Sequence, residues 1–218
     1  MLHHHIIATN GQKVLSLLAK FSDQEFYERE VARKLRISYG SANRVLNELY
    51  STGAVKRRRE GKMYFYSIDS LTAAVIEFKK MINLMLVEPL VEELKKMSSR
   101  IVLYGSCALG IDTSESDLDL FVVSNSKEDV SNVISDFRFP GGYESIHIQS
   151  VIKTPVELLE GVDSDRAFVE EVDRGIVLWE RVASESRAWL KLNTICVLSY
   201  TICVRLSSYL FKRGLNLF

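Results

Sequence analysis

Two apolar runs, Ile101-Val102-Leu103-Tyr104 and Leu118-Asp119-Leu120-Phe121-Val122-Val123, stand on either side of a Gly105-Ser106 turn, and the second opens on the acid pair Asp117-Leu118-Asp119. No other feature constrains the fold as strongly. Short runs rich in β-branched and aromatic residues, bounded by turn signals, read as strands. Residues at i and i+2 of a strand share a face. Leu118 and Leu120 therefore turn to a core, while Asp117 and Asp119 stand side by side on the other face. Two adjacent carboxylates repel unless a cation sits between them. Mg2+ accepts one or two carboxylates and completes its shell with phosphate oxygens; Mn2+ suits the same hard donors. Gly105 lets the backbone approach a phosphate closely. Ser106 offers a hydroxyl and an N–H to phosphate oxygens, and a helix starting there would add favourable charge. Asp-x-Asp alone is usually a solvated strand end, and Gly-Ser alone an ordinary turn. Together, with ten residues between Ser106 and Asp117, they point to a site for Mg2+ (or Mn2+) and a nucleoside triphosphate such as ATP.

The phrase Leu103-Tyr104-Gly105-Ser106-Cys107-Ala108-Leu109-Gly110, followed by Glu115-Ser116-Asp117-Leu118-Asp119-Leu120, resembles the signature of the nucleotidyltransferase superfamily that includes DNA polymerase beta. The resemblance is greatest to its minimal, antitoxin-like members and covers residues 100–180. It implies a mixed α/β sheet and in-line attack of a hydroxyl on the α-phosphate of an NTP. The acceptor would be a protein or a small molecule, in a setting like that of toxin–antitoxin pairs. Gly105 and Ser106 would bind the nucleotide; Asp117 and Asp119 would be the metal-binding and catalytic acids. The family's transferases usually add a third carboxylate on a neighbouring strand. The candidate strand, around residues 145–152, has Ile146, Ile148 and Ile152 on one face, which leaves His147 and Gln149 for the other. Neither is an acid. His147, whose ordinary pKa lies near neutrality, is the candidate base. Glu144 falls on the opposite face. Cys107 occupies a place where small family members often carry a basic residue, and reads as a small buried thiol.

Residues 1–68 follow a different pattern. Val14, Leu17, Leu18 and Phe21 have helical spacing after Asn10, a plausible N-cap. Val31, Ala32 and Leu35 mark a second helix. Ala42, Val45, Leu46 and Leu49 mark a third, with Ser38 as its cap and Gly53 at its end. Residues 54–59 and 62–68 form two short strands around Glu60-Gly61, a hairpin signal. Three helices and a basic hairpin resemble the small winged-helix regulators of archaea and bacteria, whose third helix enters the major groove. The resemblance implies binding to double-stranded DNA and transcription regulation. Tyr39, Ser41, Asn43, Arg44 and Asn47 lie on the polar positions of that helix. Arg44 and Asn47 suit guanine and adenine edges. Lys56, Arg57, Arg58, Arg59 and Lys62 suit phosphates and the minor groove. These cations cluster in a chain whose 28 Lys and Arg balance 28 Asp and Glu, so a solvated charge run is the weaker explanation.

Residues 69–98 read as a helical linker, two helices interrupted at Pro89, with stripes that serve a core or a dimer contact. Residues 181–218 read as a C-terminal helical segment. Its apolar stretch, residues 195–204, is too short to span a membrane. The three cysteines, Cys107, Cys196 and Cys203, show no CxxC pair, as expected of reduced thiols in a cytoplasmic protein. No secretory signal is expected at the N-terminus.

The fold expected is therefore α+β: a winged helix-turn-helix at 1–68, the linker at 69–98, a nucleotidyltransferase-type mixed α/β sheet at 99–180 and the C-terminal segment. Two functions fit. One is an Mg-dependent nucleotidyltransferase with a DNA-binding winged helix. The other is a transcriptional regulator whose degenerate transferase domain only binds nucleotide or acts as a scaffold.

Overall fold

The computed structural model describes residues 6–160 and 166–181. The C-terminal segment expected beyond Arg181, with Cys196 and Cys203, lies outside the described residues.

Helix α1 (Asn10–Lys20) is capped by Thr9, whose hydroxyl accepts from the Gln12 amide while the Gln12 side chain reaches back to the Thr9 N–H. This capping box places the N-cap one residue before Asn10. A two-residue strand β1 (Phe26–Tyr27) leads into α2 (Glu28–Leu35), and α3 (Tyr39–Ser51) starts at the expected cap, Ser38, whose hydroxyl accepts from the Ser41 amide. Strands β2 (Lys56–Glu60) and β3 (Met63–Ser67) form the hairpin. Its turn is closed by the Glu60–Met63 pair, and Gly61 takes the positive φ that a tight hairpin turn demands. The order β1-β3-β2, all antiparallel, behind three helices is a winged helix-turn-helix. The short β1 carries no alternation of its own, which is why the sequence does not announce it.

Helix α4 (Ala73–Leu94) corrects the expectation of two helices: it runs unbroken through Pro89. A proline inside a helix costs about 3 kcal/mol. Here Ile82, Asn83, Met85, Leu86, Val87, Leu90, Val91 and Leu94 are all buried. They surround the helix on more than one face, and that packing outweighs the lost hydrogen bond.

Strand β4 (Arg100–Tyr104), the single-turn α5 (Gly105–Leu109), β5 (Leu118–Val123), α6 (Lys127–Asp136), β6 (Ile148–Lys153), α7 (Pro155–Glu160), α8 (Arg166–Asp173) and β7 (Ile176–Glu180) complete the described chain. The sheet order is β6-β5-β4-β7, with β5 and β6 parallel and the other pairs antiparallel. Strand β6 starts three residues later than expected, after a turn in which the Ile146 amide donates to the Tyr143 carbonyl.

The two faces of the sheet have different partners. Ile101, Leu103, Leu118, Leu120 and Val122 join one apolar core that also holds Leu17, Leu18, Leu46, Tyr66, Ile82 and Leu90. The winged helix, the long helix and one face of the sheet thus share an interior. On the other face Val102, Tyr104, Phe121 and Val123 pack against Phe168 and Val172 of α8. Tyr104 and Phe121 both meet the Phe168 ring edge-on.

Candidate functional site

The acid pair lies on the α8 face. Leu118 and Leu120 are fully buried on the opposite face, and Asp117 and Asp119 are half-buried, as alternation requires. Asp117 sits one residue before β5, which begins at Leu118. Its carbonyl accepts from the Cys107 thiol at 3.3 Å. Asp119 pairs with Tyr104, the last residue of β4, so its carboxylate reaches the Gly105 turn. Gly105 has φ +68°, and a Cβ there would collide with the Asp119 carboxylate. The glycine therefore answers two demands at once: a left-handed backbone and room for the acid. Ser106 is half-buried in the first turn of α5.

Burial pushes the Asp119 carboxyl above its ordinary value, and the charges of Asp117 and Glu171 push it the same way. Tyr104 is pushed up to about 12, by burial first and then by Asp119 and Glu171. Three carboxylates thus share one field. Glu171, on α8, also lines a 320 Å³ cleft with Gly105, Ala108, Leu109, Glu170, Arg174 and Gly175. The third acid expected on a neighbouring strand is not there; Glu171 comes instead from a helix packed over the same face. The signal available was Phe168 and Val172 at i and i+4, which fix the inward side of α8 and place Glu171 next to it.

The register puts Gln149 beside Asp119, and the Leu118 amide donates to the His147 carbonyl at 2.8 Å, so His147 adjoins Asp117 along the backbone. The His147 side chain is exposed and lines a separate 370 Å³ hollow with Arg138 and Glu144. Glu144 is occupied in its own turn, accepting from the Gly142 amide at 2.8 Å. Cys107 is fully buried, and burial pushes its thiol up to about 12. At neutral pH it is a thiol, not a thiolate.

No three His, Cys, Asp or Glu side chains among the described residues converge tightly enough to hold an ion unaided. The donor set nevertheless fits a cation completed by nucleotide phosphates: hard oxygens, on one face, whose mutual repulsion such a charge would relieve.

On the winged helix, Tyr39 and Arg44 project into solvent, with Tyr39 53% exposed. Asn43 is half-buried. Ser41 accepts from the Asn10 side chain at 2.7 Å. Asn47 donates to Asn43 and accepts from Arg57 at 3.1 Å. The Arg57 guanidinium stacks between Tyr50 and Tyr64, at 3.9 and 4.6 Å from the ring centroids. Arg58 is held by Glu25 and Glu60, each at 2.7 Å, and Lys56 by Asp69 at 3.1 Å. Arg59 donates to the Gly61 carbonyl and remains exposed, as does Lys62. Asn47 and Arg57 thus brace the helix against the wing and Ser41 braces it against α1, while Tyr39, Arg44, Arg59 and Lys62 face outward.

No curated protein matches the chain. Reduced HlyU from Vibrio cholerae is 26% identical over 39% of this chain and 81% of its own, with a TM-score of 0.28. The transcriptional regulator BldR from Sulfolobus solfataricus is 20% identical over 43% of this chain and 76% of its own, with a TM-score of 0.30. No helix among the described residues is long and apolar enough to cross a membrane. The family model of the nucleotidyltransferase domain matches residues 85–178, the span that holds the Gly-Ser turn, the acid pair and α8. Residues 85–178 are therefore a nucleotidyltransferase domain, set behind a winged helix-turn-helix.

Proposed function

We propose that this chain transfers a nucleoside monophosphate from an NTP to a hydroxyl of a protein or small molecule, and that it does so while its winged helix engages duplex DNA. The observation that carries the reading is the Asp119 carboxylate seated against the Gly105 turn, with the charges of Asp117 and Glu171 acting on it and Glu171 lining a solvent-open cleft with Gly105. Mg2+, when bound by Asp117 and Asp119, supplies charge neutralisation at the transferred phosphate. Gly105 and Ser106 present backbone N–H and hydroxyl donors to the triphosphate. Arg174, which lines the same cleft, offers the cation that Cys107 does not. Glu171 accepts the proton of the attacking hydroxyl. As that proton leaves, the acceptor oxygen bonds the α-phosphorus and the α–β anhydride breaks, releasing pyrophosphate. His147, directed to a different hollow, is the weaker base.

For DNA, α3 enters the major groove with Tyr39 and Arg44 outermost, and Arg59 and Lys62 of the wing meet phosphates.

One observation favours a second reading. Gln149, not an acid, stands beside Asp119 in the parallel register, as it would in a regulator that binds nucleotide without transferring it. Incubation of the full chain with labelled ATP, GTP, CTP or UTP, Mg2+ and cell extract separates the two. The first reading expects label on an acceptor, lost in Glu171→Gln. Nucleotide binding without transfer in any of the four establishes the second.

A further inference from the structure

The loop that delivers Asp117, residues 110–117, is held more by the winged helix and α4 than by its own sheet. Asp112 is 1% exposed. Its Oδ2 lies 2.5 Å from the Lys20 ammonium at the end of α1, its Oδ1 accepts from Asn83 at 3.0 Å, and its carbonyl accepts from Lys79. Lys20 also donates to the Asn83 Oδ1 at 2.7 Å, and Asn83 donates to the Cys107 carbonyl at 2.9 Å. Two residues further along the loop, Asp23 grips Ser114. The Ser114 amide donates to both carboxylate oxygens, at 3.0 and 3.1 Å, and its hydroxyl to Oδ2 at 2.5 Å. The loop closes on itself where the Thr113 amide donates to the Ser116 hydroxyl at 2.9 Å.

We propose that Lys20 and Asp23 are positioning residues for the metal–nucleotide site: the DNA-binding domain holds in place the loop that sets Asp117. The inference rests on the transferase-site reading above. Lys20 fixes the buried root of the loop and Asp23 its exposed crest. Between Ser114 and Asp117 only the Thr113–Ser116 turn intervenes, so movement of the crest is passed to the carboxylate. Because α1 also bonds the recognition helix through Asn10 and Ser41, the acid pair and α3 are braced by the same helix.

The test uses the full chain and two measurements. The first is binding of Mn2+ with a non-hydrolysable ATP analogue, read by calorimetry and Mn2+ resonance. Asp23→Ala weakens it about tenfold, the equivalent of one charge-assisted hydrogen bond. Asp23→Asn, which still accepts from the Ser114 amide, recovers part of the loss. Gln24→Ala, on the same turn, changes nothing. The second is amide hydrogen exchange, which needs no nucleotide. Asp23→Ala accelerates exchange at residues 113–117 and leaves 118–123 protected. Unchanged exchange at 113–117 overturns the positioning role whether or not nucleotide binds. Accelerated exchange with unchanged Mn2+–nucleotide affinity also overturns it, because the loop would then move without consequence. A parent chain that binds no Mn2+–nucleotide overturns the transferase-site reading, and with it the role proposed for Lys20 and Asp23.

Discussion

Replacing Lys20 by methionine removes an ammonium that is 1% exposed and keeps most of its aliphatic bulk. Asp112, whose side chain is 0% exposed, is then left with Asn83 as its side-chain donor, and its neighbouring cation is Lys79, which is bonded to its carbonyl and not to its carboxylate. Breaking a buried ion pair from one side costs about 3–5 kcal/mol, because the surviving charge is stranded in a low dielectric. For a unit of this size each kcal/mol shifts Tm by about 2–4 °C, so the variant should melt about 6–20 °C below the parent. Scanning calorimetry of the full chain at neutral pH measures this. Lys20→Met combined with Asp112→Leu should regain at least half of the loss, since apolar replacement of a buried pair is often neutral or stabilising. The remainder falls on Asn83, whose Oδ1 loses its donor. A single variant that costs less than about 1 kcal/mol would refute the reasoning, for an ammonium that dispensable is not neutralising a buried carboxylate.

Asp119→Asn should lose Mg-ATP binding yet raise the Tm of the nucleotide-free chain at neutral pH. The raised carboxyl favours folding at acid pH and loses that contribution as pH rises through its folded value, so the gain should vanish in acid; a Tm difference independent of pH would exclude this origin. Gly105→Ala should lower stability by about 1–2 kcal/mol from the left-handed backbone alone and displace Asp119, so Mg-ATP affinity should fall as well; intact affinity by calorimetry would show that the acid tolerates the methyl. Glu171→Gln should slow transfer by ~10²–10⁴, the usual worth of a general base, with Mg-ATP affinity held within about tenfold; an unchanged single-turnover rate would remove Glu171 from the mechanism. On duplex DNA, Arg59→Ala with Lys62→Ala should lower the slope of log K against log salt by about two, and Arg58→Ala, already held by Glu25 and Glu60, by less; equal slopes for all would show that the wing makes no phosphate contact.

Strand alternation was readable because it is local. Leu118 and Leu120 against Asp117 and Asp119 need only a period of two, and the buried leucines and half-buried acids follow it. Caps and turns were readable for the same reason, as at Ser38 and Gly61. What escaped depends on packing between distant segments. Pro89 stops helices in isolation, but burial on several sides carries α4 through it. The charge of Glu171 acts on Asp119 because Phe168 and Val172 seat α8 on the sheet. Arg57 and Arg58 read as free cations in a linear sequence. Their partners, Tyr50, Tyr64 and Glu25, become neighbours only once the hairpin folds back on the helices.

The buried ammonium of Lys20 also bears on how such a protein could arise and diversify. A winged helix with its own closed core can be moved between genes, because any effector can follow it. Here the first helix ends in a charge whose counter-ion, Asp112, lies more than ninety positions downstream in another domain. Grafted onto a different effector, residues 1–68 would carry an unpaired cation on an apolar surface and lose part of their interior. Exchange of one half is therefore penalised unless both halves change together, so the two should descend as a unit. Substitutions at positions 20, 83 and 112 should be correlated in any lineage that keeps this architecture.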